Sequence, residues 1–135
     1  PEAAEAAAAM ARRIVQGEGA WAWDDAVVAL AVNEAPLMYQ GQSLRLDRLV
    51  RLHAPREGAR WWVLDYKSAA QPERQPQLIA QLQRYRAAVQ AQVPGEVVGA
   101  AFLSGEGRLV RVPEGDDAPA PAVQPLAAPV QGTLF

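Results

Sequence analysis

Period-two alternation marks the middle of the chain. In residues 43–53, SLRLDRLVRLH, Leu44, Leu46, Val50 and Leu52 fall on one face of a strand, and Arg45, Asp47, Leu49 and Arg51 on the other. Residues 26–39, AVVALAVNEAPLMY, read as a preceding strand with a break at Pro36, joined to it through the turn Gln40-Gly41-Gln42 as a hairpin. After the turn 54–59, APREGA, the stretch Trp61-Trp62-Val63-Leu64-Asp65-Tyr66-Lys67-Ser68 reads as the most apolar strand. The simplest arrangement of these three strands is an antiparallel meander. Beyond Gln71–Pro76 the period becomes 3.6: Leu78, Leu82, Tyr85 and Val89 mark one face of a helix over about 76–92, ended by Pro94-Gly95. Residues 96–103 form a fourth strand, able to run parallel to the third across that helix, and 108–112 a short fifth. Ahead of the strands, residues 2–16 are an Ala-rich helix with Glu2 and Glu5 at its start, Arg12 and Arg13 near its end and glycines after it. Trp21 and Trp23 follow in a loop, where their simplest role is to anchor that helix to the sheet.

The order predicts an α/β or α+β domain over 1–112, a mixed sheet flanked by helices. From Pro113 to Val130 the chain is mostly Ala and Pro, with too little apolar surface to offset its ordering entropy, and residues 113–135 read as a disordered tail. The 135-residue chain is long enough for one core. Its net charge of −2 gives no global nucleic-acid signal, although carboxylates with a bound metal can still face DNA. The absence of cysteine excludes disulfides, thiolate zinc sites and iron–sulfur clusters, and suits a cytoplasmic location. No run approaches the roughly 20 apolar residues of a membrane span. The first residue is Pro rather than Met, so the chain reads as a piece of something longer whose missing part lies upstream.

The third strand carries charges that a buried strand avoids. Asp65 and Lys67 share a face with Val63, while Leu64 and Tyr66 point the other way. Lys67 is the only lysine in a chain whose other strong bases are all arginine. A strand-end ion pair is one reading of it and a reactive group the other. Glu34, Asp47 and Asp65 lie on three successive strands whose spacing allows convergence. Carboxylates forced together raise one another's pKa unless a cation joins them, and hard oxygen donors suit Mg²⁺ or Mn²⁺. Lys67 beside them would hold a phosphate or stabilise developing charge. Against this, Asp47 could pair with Arg45 or Arg51, and Glu34 could cap a turn.

These residues resemble a family. Asn33-Glu34-Ala35-Pro36-Leu37, Leu46-Asp47-Arg48-Leu49-Val50, Val63-Leu64-Asp65-Tyr66-Lys67-Ser68 and Gln81-Leu82-Gln83-Arg84-Tyr85 look like the RecB-like nuclease domain of the PD-(D/E)XK superfamily, over about 20–112. That domain closes the helicase–nuclease chains of bacterial recombination machines such as RecBCD and AddAB. The resemblance implies an αβββαβ restriction-endonuclease-like core and metal-dependent hydrolysis of DNA phosphodiesters in repair and recombination. The helicase domains of the same parent chain would be partners. It makes Asp47 and Asp65 ligands of Mg²⁺ or Mn²⁺, with the Tyr66 carbonyl beside them, and Lys67 the catalytic lysine. Glu34 takes the upstream acidic position. Gln81 and Tyr85, one helical turn apart, would contact the phosphate backbone or Lys67. A nuclease-like module that has lost catalysis and serves DNA binding or tethering is the alternative. One departure bears on it: the family's upstream metal-binding His is missing. His53 is misplaced for that role and reads as a surface residue, so the ligand lies in missing sequence, Glu2 or Glu5 replaces it, or the site is degenerate. Finally, Gln131-Gly132-Thr133-Leu134-Phe135 resembles the peptide by which bacterial repair proteins bind the replication sliding clamp, with Gln131 making polar contacts and Leu134 and Phe135 filling an apolar pocket.

Overall fold

The computed structural model describes residues 2–114. Its elements are α1 (Glu2–Gln16), a 3₁₀ turn (Ala20–Trp23), β1 (Val28–Tyr39), β2 (Gln42–Arg56), β3 (Ala59–Lys67), a second 3₁₀ turn (Pro72–Arg74), α2 (Pro76–Gln92), β4 (Val98–Ser104) and β5 (Leu109–Arg111). The fold is α+β. One five-stranded mixed sheet runs β1-β2-β3-β4-β5, antiparallel throughout except for the parallel β3–β4 pair that α2 connects. The meander and the parallel crossover are both as expected. Among the described residues no helix is long and apolar enough to cross a membrane. The tail motif Gln131, Leu134 and Phe135 lies outside the described residues.

Both hairpins close through two-residue turns in which each central residue has positive φ: Gln40 (51°) with Gly41 (79°), and Glu57 (50°) with Gly58 (84°). That geometry matches the twist of the flanking strands, and the glycines adopt it without a Cβ clash. The second turn is shorter than the 54–59 stretch expected for it, because β2 continues to Arg56 and β3 starts at Ala59.

The sheet has two apolar faces. One packs under α2, with Ala35, Leu46, Leu49, Trp61, Val63, Ala100 and Phe102 against Leu82, Val89 and Val93. The other packs under α1 and the first 3₁₀ turn, with Val50, Leu52, Trp62, Leu64, Ala101 and Leu103 against Ile14 and Ala22. Trp21 meets Trp62 edge-on at 5.6 Å, and Trp23 stacks near Tyr66, so both anchor this second face as expected.

Strict alternation along β2 does not hold. Leu44 and Leu46 pack on the α2 side, whereas Val50 and Leu52 pack on the α1 side, so the strand turns over between Leu46 and Arg48. β1 turns over at the same level: Leu30 and Val32 pair with Arg51 and Leu49, yet Ala35 and Leu37 pack under α2. The two irregular residues are Glu34 and Asp47. Glu34 has φ 51°, and the two are skipped between the paired rungs Asn33–Arg48 and Ala35–Leu46. The break expected at Pro36 therefore lies at Glu34. Pro36 remains paired with Arg45 on the sheet's edge strand, where a missing N–H is tolerated.

Candidate active site

The turnover of the hairpin opens the sheet. β2 and β3 pair from Arg51–Trp61 to Arg48–Leu64, and there the ladder stops. β3 continues beside β4, with Asp65, Tyr66 and Lys67 opposite Phe102, Leu103 and Ser104. Asp47 is the first residue of β2 beyond the last rung, and its Oδ2 accepts the Tyr66 N–H at 2.9 Å. A side-chain carboxylate thus takes the place of a backbone rung at the crotch of a fork. In an extended strand a residue's N–H and C=O point to the same edge, so the Tyr66 carbonyl is directed into the same opening.

Asp65 lies inside the fork and is buried, its side chain 6% exposed. Burial and the adjacent Asp47 carboxyl raise its pKa to about 7, against the pull of Lys67. The Lys67 ammonium is 3.1 Å from Asp65 Oδ2 and its side chain is a quarter exposed, so it reaches both the acid and solvent. That contact lacks hydrogen-bond alignment, and among the described residues buried Asp65 Oδ2 has no aligned hydrogen-bond donor. Tyr85 of α2 packs half-buried against the α2-side core. Its phenol pKa is raised by burial and further by Asp65, which places it beside the same charges. Gln81, one turn earlier, is exposed.

The structure therefore brings together Asp47, Asp65, Tyr66, Lys67 and Tyr85. It does not bring in Glu34, whose exposed carboxylate pairs with Arg45 at 3.2 Å. The three-carboxylate convergence is corrected to two: among the described residues no group of three His, Cys, Asp or Glu side chains is placed to hold a metal. The expected fallback ligands do not join either. Glu2 and Glu5 are exposed on α1, the helix that packs on the opposite face of the sheet from Asp65. His53 is a surface residue, as expected. The pairing of Asp47 with Arg45 or Arg51 does not form, because those arginines bind Glu34 and Glu96.

A hard divalent cation fits the residues that remain. Two facing carboxyls, a backbone carbonyl directed at them and a buried Asp65 oxygen with no aligned donor among the described residues form an oxygen-only donor set. One or two carboxylates, completed by waters and phosphate oxygens, suffice for Mg²⁺.

Nothing local in the sequence marks Arg48 for a role at the site. It is buried on the α1 side, donating from Nη1 to Asn33 Oδ1 (2.7 Å) and from Nη2 to the Ala22 carbonyl (2.8 Å), with its guanidinium 4.6 Å from the Trp23 ring. The turn is one residue shorter than the Gln40–Gln42 expected, since Gln42 already pairs with Tyr39, and that register puts Arg48 opposite Asn33. No protein-family model matches this chain, and no curated protein matches it.

Proposed function

We propose that this chain is a Mg²⁺-dependent deoxyribonuclease domain with a PD-(D/E)XK-type core, working as the nuclease part of a bacterial helicase–nuclease in DNA repair or recombination. The observation that carries this reading is the fork, with the Asp47 and Asp65 carboxyls on its two arms and Lys67 3.1 Å from Asp65. The two carboxylates and the Tyr66 carbonyl would hold the cation. When bound, it lowers the pKa of water and polarises the phosphoryl group. Lys67 meets the scissile phosphate from the solvent side of Asp65 and neutralises charge on its non-bridging oxygens as the water–phosphorus bond forms and the leaving P–O bond breaks. Tyr85, beside Asp65, and exposed Gln81 one turn earlier on α2 would contact the DNA backbone. The helicase domains of the parent chain deliver the strand, and the C-terminal peptide tethers the assembly to the sliding clamp.

The lack of a third acidic ligand among the described residues favours a second reading, a binding module without catalysis. A DNA-degradation assay with Mg²⁺ or Mn²⁺, run beside Asp65→Ala and Lys67→Ala, separates the two. Metal-dependent cleavage lost in both variants supports the nuclease. DNA binding with neither cleavage nor Asp65-dependent metal binding supports the module and sinks the nuclease.

A further inference from the structure

Arg48 is 6% exposed, and among the described residues no carboxylate pairs with it. Its buried Nε has no acceptor among the described residues. Burying a guanidinium on neutral partners is costly, and an apolar side chain of similar volume would hold two strands together at less cost. An apolar side chain cannot direct two acceptors on different elements. The guanidinium does so, with one N–H₂ group on Asn33 of β1 and the other on the Ala22 carbonyl of the 3₁₀ turn.

Its place in the ladder matters as much as its bonds. Arg48 is the last rung of β2 toward β3, opposite Leu64, and it is also the rung toward Asn33 of β1. The next residue toward the hairpin tip is Asp47. The backbone direction at Arg48 therefore sets where Asp47 leaves the sheet. On the other arm, Trp23 lies under the Arg48 guanidinium and stacks near Tyr66, with centroids 6.3 Å and planes 25° apart, and the Tyr66 amide is the group that Asp47 accepts. Arg48 thus reaches both arms of the fork from the face opposite the carboxyls.

We infer that Arg48 is a positioning residue: clamped to Asn33, Ala22 and Trp23, it fixes the fork so that Asp47 stays on the Tyr66 amide and beside Asp65. This rests on the reading of Asp47 and Asp65 as the reactive pair.

The test is hydrogen exchange at the Tyr66 amide of the full chain without metal, with the Ala101 amide in the core reporting global opening. DNA cleavage is measured alongside. Arg48→Met and Arg48→Lys are compared with wild type. Lysine keeps the charge but lacks the fork that serves two acceptors in different directions. Both variants are expected to speed Tyr66 exchange by about tenfold or more relative to Ala101, a local opening. They should also lower kcat by about tenfold with little change in KM, as for loss of transition-state geometry. Tyr66 exchange that changes only in step with Ala101, or wild-type values for both amide and kcat in Arg48→Lys, overturns the proposal. If the Arg48 variants leave Ala101 unprotected, Asn33→Ala decides: selective loosening of Tyr66 supports the clamp, and an unchanged amide overturns it. A wild-type chain that neither cleaves DNA nor binds metal through Asp65 overturns the nuclease reading and leaves this one standing, and the Tyr66 amide still decides for or against Arg48.

Discussion

Asp65 shows most directly what the site demands of a single residue. Its carboxyl titrates near 7 in the fold, chiefly because burial disfavours the charged form, and near 4 in an unfolded chain. Between those values the native state holds a proton that the unfolded state has released, so stability falls as pH rises through the window from about 4 to 7. Three units set an upper bound of about 4 kcal/mol. Asp65→Asn removes the titration. Urea denaturation at pH 5 and pH 8 should show a smaller pH difference for this variant than for wild type, with a gain at pH 8 of about 1–3 kcal/mol. An unchanged difference would mean that Asp65 ionises freely. Mg²⁺ should act with the opposite trend, stabilising wild type at pH 8 and little at pH 5, because a ligand must lose its proton to bind. Glu34 gives a contrasting case. Its side chain is exposed and it is held at φ 51°, which costs a non-glycine residue about 1 kcal/mol. Glu34→Gly relieves that conformation and loses only a solvent-screened ion pair. The expected result is stability equal to wild type or higher by up to about 1 kcal/mol, with undiminished cleavage under the proposed nuclease function. A large loss of cleavage would return Glu34 to the catalytic set.

At the scale of elements, the strands, α2 and the facing of Asp65 with Lys67 were readable because period and turn chemistry are local. The turnover at Glu34 and Asp47 was not. A strand read by alternation alone puts Leu44, Leu46, Val50 and Leu52 on one face, and nothing local marks the reversal, since glutamate and aspartate are unremarkable in a polar stretch. The reversal is tertiary in origin. α2 covers the distal half of the hairpin, and Ala35, Leu37, Leu44 and Leu46 turn toward it to be buried. The same reversal spoils the expected three-acid convergence, because it leaves Glu34 in solvent while Asp47 enters the fork. Burial under α2 thus shapes the site as well as the core. Leu46 is fully buried beside Asp47. Leu46→Ala should cost about 2–4 kcal/mol and weaken Mn²⁺ binding as the hairpin loosens. Leu103→Ala, on the opposite face, should cost a similar amount and leave Mn²⁺ affinity near wild type once the protein is folded. Calorimetric Mn²⁺ titration of both variants compares them, and equal losses of affinity would break the link between hairpin packing and the site.

Over the whole molecule, the sheet separates two jobs. The α2 side carries the fork, and the α1 side carries a docked helix and the Arg48 clamp. α1 is held through its C-terminal end. Ile14 is its buried residue, Arg13 Nε donates to the Gly105 carbonyl at 2.8 Å, the Glu18 N–H donates to the Gly107 carbonyl at 2.8 Å, and Glu18 Oε1 accepts the Leu109 N–H. The approach is close because Gly17 has no side chain: a Cβ there would lie 2.4 Å from the Gly107 carbonyl oxygen, a backbone atom that cannot swing aside. Gly17→Ala should therefore push α1 off the β4–β5 turn at a cost of about 1–3 kcal/mol. For a domain of this size that lowers Tm by about 5–15 °C. The carboxyls and lysine of the fork stand on β2 and β3 and point away from α1, so metal affinity measured below the lowered Tm should stay within about twofold of wild type, the scatter expected of independent sites. Loss of metal binding in step with Tm would show instead that α1 itself supports the fork through the sheet.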